Sequence, residues 1–234
     1  MAARENTGQD LSKAVLSNMS QKSCKDMYDK ILVASSPIFV FQESPDRPIE
    51  FFVPGKSTQW PASALTKFRE YNEQETDAVF YGSNHFHLVD TAMQRETSIL
   101  QAFLLSPMST HARLLSHLSL SFPALEVAEG RPEGLGLTQD GVRALKLLKD
   151  HCTSLATLEL YVHKSNAFGL TGEAPGASQS CHEVLLQVKA QLKTISSLNK
   201  VIIRYCHDKP TPHVVQLMQD LEWTVLMGDG LEGK

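Results

Sequence analysis

No apolar run in this chain approaches the roughly 20 residues that a membrane-crossing helix needs. The longest runs, such as Ile31 to Ala34 and Ile38 to Phe41, stop at the length of one helical turn or a short strand. Charge of a single sign is also missing: 22 Lys and Arg stand against 26 Asp and Glu, for a formal net charge of -4. No basic field exists to hold a phosphate backbone or an anionic bilayer, so neither nucleic acid nor membrane is an expected partner. Cysteine is scarce. Cys24, Cys152, Cys181 and Cys206 are far apart, none belongs to a C-x-x-C pair, and 234 residues can bury a core without covalent staples. Reduced thiols are expected. The segment Met1 to Lys13 carries Arg4, Glu5, Asp10 and Lys13 and lacks the apolar stretch of a secretory signal, which points to a cytoplasmic or nuclear location.

Signatures of catalysis are absent too. No G-x-S-x-G elbow, Gly-rich dinucleotide fingerprint or H-E-x-x-H helix occurs. Gly55-Lys56-Ser57 is the nearest approach to a phosphate loop, but the position that needs the first glycine is Glu50. Cys181-His182 and Cys206-His207 are adjacent pairs, and neighbours on a strand face opposite ways. The chain is therefore read as a non-enzyme that needs no cofactor and no metal.

What is present is an alternation of strand and helix patterns. Residues 1–15 and 229–234 read as disordered tails, because Gly, Asn, Gln and charge leave too little apolar surface to offset the entropy of ordering. Met19, Met27, Ile31 and Leu32 suit a helix over Leu16 to Ala34, which Pro37 ends. Strands Ile38 to Phe41 and Ile49 to Val53 flank Ser44-Pro45-Asp46-Arg47-Pro48 as a hairpin. A helix over Pro61 to Tyr81, burying Leu65, Phe68, Ala78 and Val79, leads through Tyr81-Gly82-Ser83-Asn84 into a strand over His85 to Val89.

Beyond Val89 a pattern recurs: Leu115, Leu118, Leu120, Phe122; then Leu155, Leu158, Leu160, Val162; then Leu198, Val201, Ile203, Tyr205; and in part Leu221, Thr224, Leu226. Helical stretches precede the copies at Ile99 to Leu105, Val142 to Leu148, Val184 to Ile195 and Val214 to Leu221. Such alternation predicts a mainly parallel sheet with crossover helices on one side. The leading leucines are 40, 43 and 23 residues apart, so the expectation is an irregular, leucine-rich-repeat-like α/β stack and no regular horseshoe. Any buried α/β sheet could yield such strands without a true repeat. Segments 126–135 and 165–180, rich in Gly, Pro and Ser, read as excursions between units, the second without fixed structure. Residues 16–90 form the helical and hairpin part and residues 91–228 the repeat-like region packed on it as one domain.

Two sets of residues are candidates for function. Period-two geometry places Ser119, Ser121, Glu159, Tyr161, His163, Ile202, Arg204 and Cys206 on the sheet face opposite the core. Tyr and Arg combine contact area with directional bonding, so this face is a candidate partner-binding surface, with cover by the chain's own N-terminal segments as the alternative. His85 and His87 share one strand face and could grip an ion, although Asp90 lies on the other face and no third ligand has recognisable spacing.

Cys24-Lys25-Asp26-Met27-Tyr28-Asp29-Lys30-Ile31-Leu32 is similar to an R-x-x-I-Y-x-x-V-L helix. Tyr71-Asn72-Glu73, with the run Val79 to Leu88, resembles a C-R-Q-I-Y-x-E-A-x-x-x-L-Y-G-x-N-x-F-x-F signature. Both belong to the F-box-like proteins of filamentous ascomycete fungi, and the resemblance extends from about Ser20 to Met227. It implies a helical module for docking the Skp1 adaptor of a cullin ubiquitin ligase, followed by a region that recruits substrates. The chain departs from the pattern where Leu16 is followed by Ser17 instead of proline, and where Thr66-Lys67-Phe68-Arg69 replaces the Cys-Arg pair. On the resemblance the chain is a non-catalytic protein-interaction module of degenerate F-box type. The rival readings are a hydrolase or metal-dependent enzyme on His85 and His87, and a structural subunit of a complex.

Overall fold

Strict apolar alternation at Phe86 and Leu88, Leu118 and Leu120, Leu158 and Leu160, and Val201 and Ile203 gives each segment one face to bury, and the chain buries all of them in one layer. The computed structural model describes residues 21–57, 59–105, 109–127, 134–163, 170–171 and 177–228. The expected tails, the start of the first helix and most of segment 165–180 lie outside them. Six helices and nine strands are described, in the order α1 (Gln21–Leu32), β1 (Ile38–Phe41), β2 (Glu50–Phe52), α2 (Ala62–Ser83), β3 (His85–Leu88), α3 (Glu96–Leu105), a 3-10 turn (Ser109–Leu114), β4 (His117–Ser121), β5 (Leu125–Val127), β6 (Leu135–Leu137), α4 (Gln139–His151), β7 (Thr157–Val162), α5 (Ala177–Leu192), β8 (Lys200–Tyr205), α6 (Pro212–Asp220) and β9 (Thr224–Met227).

Seven strands form one sheet in the order β2-β1-β3-β4-β7-β8-β9. All neighbours are parallel except β2, which returns antiparallel to β1 as the expected hairpin. The protein is thus α/β with a mainly parallel sheet. Strand pairing sets Ile38 opposite Phe86, Phe86 opposite Leu118, Leu118 opposite Leu158, and Leu158 opposite Val201. The recurring leucine positions therefore sit side by side in one row.

Helices cover the face that this row defines. Phe80 and Tyr81 of α2 and Phe103 of α3 pack their rings on Phe86, while the Tyr205 hydroxyl donates to Met218 Sδ of α6. Between them α3, α4, α5 and α6 touch one another in series. One apolar cluster runs from Tyr28 and Leu32 of α1 through Leu118, Leu158 and Leu185 to Trp223. Each fully buried Leu or Phe in it contributes about 1.5–3 kcal/mol of transfer free energy.

Local signals explain several boundaries. Thr138 and Thr211 cap α4 and α6 by accepting from Gly141 N at 3.1 Å and Val214 N at 3.3 Å. Val53-Pro54-Gly55-Lys56 closes a turn through Lys56 N donating to Val53 O, and Gly55 takes φ +77 there, so the supposed phosphate-loop glycine is a turn residue. Two expectations need correction. Ala78 is exposed, because Asn72 leaves helical geometry and accepts from Glu75 N at 3.1 Å, restarting α2 so that Thr76, Asp77, Phe80 and Tyr81 turn inward instead. Segment 126–135 is also more than an excursion, since its ends join strands β5 and β6, paired antiparallel as a separate ribbon with Leu125 opposite Leu137.

Candidate functional site

Period-two geometry that turns leucines toward the helices turns a different set of side chains the other way. Across the opposite face one row reads Phe52, Phe39, His87, Ser119, Glu159, Ile202 and Thr224. Beside it run His85, His117, Thr157 and Lys200 on one flank, and Ser121, Tyr161, Arg204 and Leu226 on the other. The expected common face for Ser119, Ser121, Glu159, Tyr161, Ile202 and Arg204 is realised. Full exposure is not: Tyr161 is 4% exposed, Glu159 3%, Ser119 0% and Ile202 7%.

Their burial comes from contact with one another. Arg204 Nε donates to Glu159 Oε1 at 2.5 Å, and its guanidinium carbon lies 5.9 Å from the Tyr161 ring centre. Ser119 Oγ donates to Glu159 Oε2 at 3.2 Å and lies 2.5 Å from His85 Nε2. His163 stacks on Tyr161 at 5.9 Å, and Ser121 gives its backbone N–H to Glu96 Oε1 at 2.6 Å. Sequence reasoning therefore named most members of a connected polar cluster, while leaving open whether that face is exposed or covered by the chain's own N-terminal segments.

It missed His117. That ring stacks on His85 with centres 3.7 Å apart and planes 3° from parallel. His85 Nε2 and His117 Nε2 lie 3.8 and 4.0 Å from Glu159 Oε2, so one oxygen faces both imidazoles. The three donor atoms fall within 4.8 Å of each other, the arrangement of a small metal-binding group. His87 shares the face, as expected, but packs between Phe39 at 5.2 Å and Tyr161 at 4.7 Å.

Burial sets the protonation of this cluster. Desolvation pushes His85 down to about 3, assisted by His117, His87 and Arg204, and His87 down to about 4 against the opposing pull of Glu159. Desolvation lowers His117 as well, with Glu159 acting the other way. The imidazoles are neutral near pH 7. Tyr161 is raised to about 12, first by burial and then by Glu159. His117 Nε2 and His87 Nδ1 are buried and make no hydrogen bond among the described residues.

Two cavities border the strands. One of about 370 Å³ lies at their N-terminal ends, lined by Ser35, Ser36, Asn84, His85, Ser116 and His117. The other, about 420 Å³, lies at their C-terminal ends between Asp90, Arg95, Glu96, Ser121 and Asp140. Asp90, placed by sequence on the far face from the histidines, accepts from Glu96 N at 2.5 Å. Cys152, Cys181 and Cys206 form no disulfide among the described residues. Among the described residues no helix is long and apolar enough to cross a membrane.

No protein-family model, curated protein or solved structure matches this chain.

Proposed function

We propose that the chain is a non-catalytic protein-interaction module, a degenerate F-box-type substrate adaptor built on an irregular leucine-rich-repeat-like stack. The observation that carries this reading is the order of the sheet. From β1 through β3, β4, β7 and β8 to β9 the strands follow one another in chain order while the helices pack in series on one face. Such winding leaves the other face to side chains alone, as in a stack of similar units.

That face suits a protein partner. Phe52 is 44% exposed, and the rings of Phe52, Phe39, His87 and Tyr161 form a continuous series ending at Arg204. Aromatic and arginine side chains are the types that dominate binding energy at interfaces. On this reading Arg204, Ser121 and His163 meet the partner directly, with Ser119, Glu159, Tyr161 and Ile202 holding the surface in shape. Helices α1 and α2, which carry the residues resembling an F-box, would face the Skp1 adaptor in the cytoplasm or nucleus.

The rival reading, a hydrolase or metal-dependent enzyme on His85 and His87, is served less well, because His87 stands outside the donor group that His85 joins. The test is capture from fungal lysate by tagged full chain, alongside gel filtration with purified Skp1 adaptor. Recovery of Skp1, a cullin or another stoichiometric protein, lost in Phe52→Ala/Arg204→Ala, is expected. Recovery of none overturns the reading. Retention by the double variant of everything except Skp1 overturns the assigned face.

A further inference from the structure

Several features compete for a second role. The Arg69, Asp77, His111 and Tyr81 group is closed on itself: Arg69 Nε donates to Asp77 at 2.7 Å and His111 stacks on Tyr81 at 4.2 Å, so it ties α2 to the 3-10 turn. The cavity around Glu96 has its carboxyl engaged by Ser121 N. His85, His117 and Glu159 differ, because their donor atoms converge and His117 Nε2 makes no hydrogen bond among the described residues.

We propose that His85 Nε2, His117 Nε2 and Glu159 Oε2 bind a single divalent transition-metal ion of the zinc class. Two imidazole nitrogens and one carboxylate oxygen are a donor set that suits zinc and its neighbours, with a fourth position left for water or the Ser119 hydroxyl. Bonds of about 2.0–2.2 Å place tetrahedral donors roughly 3.3 Å apart. The present separations of 3.8 and 4.0 Å close by about half an ångström, and the parallel rings tilt so that their lone pairs converge. Both changes are side-chain rotations on strands already fixed by pairing.

Three further observations support the site. Buried His117 Nε2 makes no hydrogen bond among the described residues, and a buried polar atom in that condition requires a reason. Arg204 holds the other carboxylate oxygen, Oε1, which leaves Oε2 turned to the imidazoles, the kind of outer support that orients metal ligands. The cavity lined by His85, His117, Ser35 and Ser116 supplies a route to the site from the strand ends. Glu159 and Arg204 serve both readings, but zinc uptake and partner capture are separate measurements, so either can fail without the other.

The test uses full chain stripped with chelator and titrated with Zn²⁺ by calorimetry, then with Co²⁺ by visible absorption, which reports coordination geometry. Wild type is expected to take up one equivalent and to give a four-coordinate cobalt spectrum. His117→Asn and Glu159→Gln should each weaken zinc at least about 100-fold, more than the loss of an outer partner does, whereas His87→Gln should change it less than about twofold. Glu159→Gln also disturbs Arg204, so His117→Asn, which removes an atom without a hydrogen bond, decides the matter, with circular dichroism confirming its fold. Failure of wild type to bind one equivalent overturns the proposal. So does uptake by His85→Asn/His117→Asn equal to wild type, since the ion would then sit on other histidines.

Discussion

Replacing Asn84 by alanine removes three hydrogen bonds from one buried point. The side chain is 2% exposed, donates from Nδ2 to Leu32 O and Phe80 O at 2.8 Å each, and accepts at Oδ1 from Ala34 N at 2.7 Å. It thereby closes the end of α1 and of α2 just before β3. At about 1 kcal/mol net per bond, with an added penalty for buried groups left unpaired, the loss is about 3–4 kcal/mol. Urea unfolding should show a lower midpoint at unchanged slope. Asn84→Asp sharpens the test, because a carboxylate oxygen would face two carbonyl oxygens where an amide now donates. Only the protonated acid can donate, so its folded pKa must lie above the ordinary Asp value of about 3.9. A group raised on folding contributes fully below its unfolded pKa and loses that contribution as pH rises through the folded value. The aspartate variant should thus come nearest to wild type at about pH 4 and fall behind by about pH 7. A loss under about 1 kcal/mol for alanine, or an aspartate offset that is flat across that range, would refute the reasoning.

Two other expectations follow from burial. Glu96 is raised to about 8, chiefly by desolvation, so its contribution is complete below the unfolded value near 4.5 and declines as pH rises through 8. Wild type should lose stability relative to Glu96→Gln between about pH 5 and pH 8, and equal midpoint differences at those two pH values would contradict this. Leu158, 0% exposed in the central row, should cost about 2–5 kcal/mol as alanine. Val142→Ala, at an exposed position of α4, should stay within about 0.5 kcal/mol, and thermal unfolding of both variants separates core from surface.

The helix-facing half of this protein was legible because it obeys one rule repeatedly. Leu118, Leu158 and Val201 occupy equivalent positions in similar strings, each string follows a helical segment, and the pairing sets them opposite one another. Boundaries were less legible where a side chain intervened locally. Nothing in the apolar spacing of Pro61 to Tyr81 announces that Asn72 will cap a second helix, and the buried face shifts by that residue's action. Exposure was the other weak point. Period two assigns a face but not a solvent boundary, and Tyr161 is covered by His87, His163 and Arg204, contributed by strand ends that the sequence does not show meeting.

The histidine and glutamate group explains why register, more than motif, builds this site. No local spacing joins His85, His117 and Glu159, since each stands on a different strand. They meet because apolar packing on the far side fixes Phe86 opposite Leu118 and Leu118 opposite Leu158. With a side-chain period of two, that choice also fixes His85 opposite His117 and Ser119 opposite Glu159. A slip of one residue in any pair would send leucine to the polar face and glutamate into the core, so the core's own demand for dryness protects the arrangement. The signal was present in the parallel strings His85-Phe86-His87-Leu88 and His117-Leu118-Ser119-Leu120. Aligning them on their apolar positions places the two histidines together, even though β3 lacks the leading leucine by which the other strands were recognised.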